Sequence, residues 1–214
     1  MVNVRCVSCY NIQDTAPHFN KNSEGGLGFG YRLNSNGECS GCLSFRNGFG
    51  YFSDKGSSMN ISSCDSTDCL NRGISVSESS SAIVGPFFYS SGDGEGIYIS
   101  DASFARGYQS QLDFSGFDTA TGRQGGGVTV MTNSTLNLQT TDIVNYGKNG
   151  IQASYNSSLV GDNIKITENT SSSGDAIHST YGSMVRVLST TTGTASFSAT
   201  SLLAGYIEVN GAEI

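Results

Sequence analysis

Few side chains in this sequence are of types that do chemistry, and they fall into three groups. The first is a pair of acids, Glu78 and Asp101, 23 residues apart and at the same point of a recurring phrase. If successive phrases stack, their carboxyls become neighbours at about 5 Å, the separation used by retaining glycosidases, and like charge would raise one of the two pKa values. The plain alternative is an exposed pair at a solvated turn, with Lys55 one phrase away. The second group is six cysteines, Cys6, Cys9, Cys39, Cys42, Cys64 and Cys69, all in the first third of the chain. Cys6-x-x-Cys9 and Cys39-x-x-Cys42 have the spacing of a four-thiolate zinc site. The recurring phrase runs through the same region, however, so stacked inward thiols are expected ahead of disulfides and ahead of zinc. Disulfides would join Cys64 to Cys69, or Cys6 to Cys39 across stacked strands. The third group is Tyr98, Tyr155, His178 and Tyr181, expected to face outward and to suit contact with sugar rings. Their competing role is mutual support along a ladder of side chains.

Other signatures are missing. The histidines are His18 and His178 only, no GxSxG elbow, P-loop or dinucleotide fingerprint occurs, and "GRQGGG" at 122–127 precedes a strand rather than a helix. Asp93 and Glu95 in "SSGDGEG" read as a loop sooner than as a calcium site. No cofactor and no metal are expected.

The elements that must position these groups are written in the phrase itself. Gly50, Gly73, Gly96, Gly127, Gly150 and Ala176 open copies at intervals of 23, 23, 31, 23 and 26 residues, and a less regular copy is expected from Gly30. After each opening comes an apolar or aromatic residue: Tyr51, Ile74, Ile97, Val128, Ile151, Ile177. Seven residues after the opening stands a serine: Ser57, Ser80, Ser103, Ser134, Ser157, Ser183. Apolar residues then alternate, as in Leu136 and Leu138, which is the period of a strand and not of a helix. A period of 20–30 residues that tolerates insertions predicts a solenoid with one coil per phrase. Each coil should carry at least two short strands joined by the serine-bearing turn. The serine hydroxyls should bond turn amides. The opening glycine should supply either an unusual φ or a close approach at a corner.

Coils such as "NGIQASYNSSLVGDNIKITEN" resemble the right-handed parallel β-helix of the pectate-lyase-like superfamily, and are most similar to β-helical segments of bacteriophage tailspikes and tail fibres. The resemblance covers roughly residues 3–200. The expected fold is all-β, a right-handed parallel β-helix of about seven coils over residues 1–190. Residues 191–214 are expected to form a terminal coil, a cap or a subunit-packing segment. A longer connection at 115–126 is expected to project as a loop.

Composition narrows the function. A net charge of −7, a pI near 4.6 and only 11 scattered Lys and Arg residues disfavour nucleic acid. No apolar run is long enough for a helical membrane span, and no signal peptide is visible. The phrase is already under way near the first residue, so a piece of a longer protein is expected. The resemblance implies a structural segment of a virion tail that contributes to recognition of a host-surface polysaccharide, and a homotrimer. A polysaccharide depolymerase acting through Glu78 and Asp101 is the first competitor. A bacterial surface adhesin or autotransporter passenger, at the cell surface, is the second.

Overall fold

The computed structural model describes residues 3–7, 10–12, 27–45, 47–69, 71–91, 94–113, 126–146, 149–168, 175–188, 191–192 and 199–214. Every regular element among them is a β-strand. One sheet of eight parallel strands stacks Leu27–Tyr31, Phe49–Ser53, Arg72–Val76, Glu95–Ile99, Gly126–Met131, Ile151–Ser154, Ile177–Thr180 and Ala199–Leu202. The second half of each phrase feeds a longer sheet, through Asn36–Ser40, Ser58–Ser62, Ser81–Val84, Phe104–Asp113, Thr135–Tyr146, Ser158–Glu168, Met184–Leu188 and Tyr206–Val209. The chain is therefore a parallel β-solenoid, of about six turns rather than seven.

The stacking register is the one the phrase dictates. Tyr51, Ile74, Ile97, Val128, Ile151 and Ile177 are successive partners in the eight-stranded sheet, and all are buried. Met59, Ala82, Ala105, Leu136, Leu159 and Val185 form the equivalent buried column of the long sheet. Alternation puts every second side chain inward, and parallel stacking piles identical positions about 4.8 Å apart. Each fully buried Ile, Leu or Val contributes roughly 1.5–3 kcal/mol. A third short side to each turn was not foreseen. Leu43–Phe45, Asp65–Thr67 and Tyr89–Ser91 supply it early on. Later, Phe104–Asp113, Thr135–Tyr146 and Ser158–Glu168 run through both sides as single long strands.

Three expectations are corrected. The irregular copy opens at Gly28, not Gly30, because Phe29 pairs with Tyr51 and stacks on its ring at 5.3 Å, while Gly30 lies under the Phe52 ring. The opening glycines do not need an unusual φ, since none has φ > 0. They are held by close approach: a methyl at Gly127 would collide with the Gly150 carbonyl oxygen and with Ile143 Cγ2. Left-handed residues stand instead as pairs at the turn between the two sheets on successive turns, and singly at Ser63, Phe87, Gln109, Thr140 and Asn163 where the long sheet turns its own corner. The pairs include Glu78 (φ 56°) and Ser79 (61°), Asp101 (57°) and Ala102 (58°), Thr132 (52°) and Asn133 (56°), and Tyr155 and Asn156 (58° each). Side chains other than glycine resist this conformation. Here amides of the turn are satisfied by the next coil: Ser79 N–H donates to the Asp101 carbonyl, and Ala102 N–H to the Thr132 carbonyl, both at 2.9 Å.

The third correction concerns Cys6 alone, since the expected buried thiols stand at the other four described cysteines. Cys6 is disulfide-bonded, to a partner outside the described residues, and Cys39, Cys42, Cys64 and Cys69 are free and buried. Neither a Cys6–Cys39 nor a Cys64–Cys69 disulfide is present, although Cys6 and Cys39 are register partners.

The serine column does what its position implies. Ser57 N–H donates to Ser80 Oγ at 3.2 Å, Ser80 N–H to Ser103 Oγ at 3.1 Å, and Ser103 N–H to Ser134 Oγ at 3.1 Å. Both sheets continue past residue 191 into Ala199–Leu202 and Tyr206–Val209. The chain then reverses through Asn210 and Gly211, both at positive φ, so that Ala212–Glu213 pairs antiparallel with Tyr206–Val209. Two residues at positive φ are what a tight hairpin needs.

Candidate functional site

Three outward surfaces carry the polar and aromatic side chains. On the eight-stranded sheet, Tyr98 is half-buried. The Arg72 guanidinium carbon lies 3.3 Å from its ring centroid, and Arg72 Nε is also 3.2 Å from Glu95 Oε2. One face of the Tyr98 ring is thus already covered by a cation. Further along the same sheet, His178 Nδ1 lies 3.1 Å from Asp175 Oδ2, which fixes the ring orientation. His178 follows Gln152 in the outward column, and Gln152 follows Thr129.

The second surface is the edge made by the left-handed turns. Glu78 and Asp101 occupy the same position of consecutive turns, and both are exposed. The Asp101 carboxylate accepts the Ser100 hydroxyl at 2.8 Å. Further along, Tyr155 and Tyr181 stack with centroids 4.7 Å apart and planes 6° apart, each 47% exposed. Each ring covers a face of the other, so edges and hydroxyls face solvent.

The third surface was not anticipated. A shallow groove of about 190 Å³ lies on the outer face of the long sheet, lined by Arg106, Tyr108, Asn137, Gln139, Val160 and Asp162. It is built by register alone. Arg106, Asn137 and Val160 are successive partners in one outward column, and Tyr108, Gln139 and Asp162 in the next. Between them run the inward Gly107, Leu138 and Gly161. A methyl at Gly107 would press on Leu138 Cδ2 at 2.9 Å, so this column is packed tightly beneath the groove. Its volume is below the roughly 300–1,000 Å³ of enclosed small-molecule pockets, which suits a ligand lying along the surface. The signal in the sequence was the pair of outward positions after each turn serine. Nothing in one phrase shows it, because the wall of the groove comes from three phrases.

The interior holds the thiols. Burial pushes the Cys39 thiol up to about 12, and the Tyr31 hydroxyl at 3.3 Å pulls the other way. Burial also raises Cys64. Among the described residues, no group of three His, Cys, Asp or Glu side chains is arranged to hold a metal. Cys6, spent in a disulfide, is not a thiolate ligand. His18, Cys9, Asp93, Arg123 and the connection at 115–125 lie outside the described residues.

In comparisons with known proteins, no family model matches the chain, and no curated protein and no solved structure matches it.

Proposed function

We propose that this chain is a rigid segment of a phage tail fibre or tailspike that binds a host-surface polysaccharide through the groove on its long sheet. The groove carries the reading: two amide side chains, Asn137 and Gln139, stand beside the apolar Val160 and the ring of Tyr108 on an open, shallow face. Amides bond sugar hydroxyls, and apolar surface meets the C–H face of a pyranose. Tyr155, Tyr181, Tyr98 and His178 are further contacts in this reading. The virion location, the homotrimer and membership of the right-handed pectate-lyase-like group belong to the same proposal and rest on the resemblance of the coils.

The test is a panel of bacterial surface polysaccharides, following both retention and product size. Retention without shortening is expected, weakened about tenfold or more by the double substitution Asn137→Ala and Gln139→Ala. Retention unchanged by those substitutions would overturn the groove as the site. Shortened products lost on Glu78→Gln or Asp101→Asn would favour the depolymerase reading, which draws support from the adjacent placement of the two acids. The adhesin reading draws support from the Cys6 disulfide, since such bonds persist in oxidising surroundings.

A further inference from the structure

Among the described residues, the arginines are almost all occupied. Arg5 pairs with Glu38 at 3.4 Å, Arg32 with Asp54 at 2.7 Å, Arg72 with Glu95 at 3.2 Å and Arg186 with Glu208 at 3.0 Å. Among the described residues, Arg106 is the arginine without a carboxylate partner. It is exposed, it lines the groove, and its register partners on either side are the neutral Ile83 and Asn137. The groove's own acid, Asp162, is two turns and two residues away from it. Two steps between strands and two residues along a strand separate their backbone positions by about 12 Å. The groove therefore presents a free guanidinium at one end, amides in the middle and a carboxylate at the other end.

Resting on the groove reading, we propose that the site selects a saccharide carrying one carboxylate next to neutral, hydroxyl-rich units. The ligand carboxylate takes the fork of Arg106. Hydroxyls of the adjoining unit bond Asn137 and Gln139, and its apolar face lies on Val160. Asp162 accepts a hydroxyl beyond that point and repels a second acid, so a polymer charged on every unit fits poorly. The net charge of −7 acts in the same direction on dense polyanions. At physiological salt that field fades within about 8 Å, leaving the short-range fork to hold a single acid.

The experiment is calorimetric titration of the full chain with three probes. They are a hyaluronan hexasaccharide, in which glucuronic acid alternates with N-acetylglucosamine, the same oligosaccharide with its carboxyls reduced to alcohols, and an oligogalacturonate with an acid on every unit. The hyaluronan fragment is expected to bind about tenfold or more tightly than its reduced form. Arg106→Gln should abolish that preference, and Arg106→Lys should restore it only in part. Asp162→Asn should improve the oligogalacturonate selectively. Equal binding of acid and reduced forms, or a preference unchanged in Arg106→Gln, overturns the proposal while leaving neutral-glycan binding in the groove intact. Failure of all three probes also overturns it, and the polysaccharide panel then judges the groove reading separately.

Discussion

Cys39 is a thiol placed where ionisation is costly. Desolvation raises it to about 12, and the neighbouring Cys42 and Cys64 push in the same direction against the bond from Tyr31. An unfolded thiol loses its proton near 9, so between about 9 and 12 the folded chain holds a proton that the unfolded chain has released. The contribution of the neutral thiol to stability is full below pH 9 and is lost as pH rises through 12. The urea midpoint of the native chain should fall across that window, and Cys39→Ala should flatten the fall. Equal slopes for the two proteins would show that this thiol does not set the alkaline limit. Its inward placement is readable in the sequence even from an opening at Gly30, two residues past the true one. A shift of two preserves the face of a strand, where a shift of one would have reversed it. The left-handed turns were not readable. They are filled by Glu78, Asp101 and Tyr155 instead of the glycine that the conformation favours, because their carbonyls accept amides of the preceding coil, from Gly56, Ser79 and Asn133 in turn.

At the scale of the element, the serine turn joins one coil to the next. Ser103 Oγ accepts the buried Ser80 N–H at 3.1 Å, and Ser103 N–H in turn donates to Ser134 Oγ. Ser103→Ala removes an acceptor and leaves the Ser80 amide buried without one, at a cost of about 1–3 kcal/mol. Urea unfolding should register that loss, and hydrogen exchange should speed up first at Ser80. Exchange at Ser80 no faster than in the native chain would mean that another acceptor replaces the hydroxyl. The strands and this ladder were legible because each phrase repeats its own inward alternation and its serine. The groove was not, because Arg106, Asn137 and Val160 are unremarkable outward residues when taken one phrase at a time and become a site only when three coils lie side by side.

Across the whole molecule the core changes character. The later turns pack Val128, Leu136, Ile143, Ile151, Leu159, Ile166, Ile177 and Val187. The earlier turns bury Tyr31, Cys39, Cys42, Ser44, Asn47, Cys64 and Ser66. In a stack each turn is stabilised by its neighbours alone, so local composition sets local stability. Native-state hydrogen exchange should therefore show protection rising from residues 36–69 toward residues 128–187. Uniform protection along the stack would mean that the solenoid opens as a single unit.

Tyr98 pairs with Thr129 and Phe104 with Thr135 across an interval of 31 residues as directly as Ile151 pairs with Val128 across 23. All the surplus falls between Asp113 and Gly126, where one strand ends and the next begins. Distance along the gene and distance along the rod are thus separate variables. Insertions and deletions between those strands can accumulate without altering a single neighbour in the columns, so the length of the chain is free to vary while the scaffold stays constant.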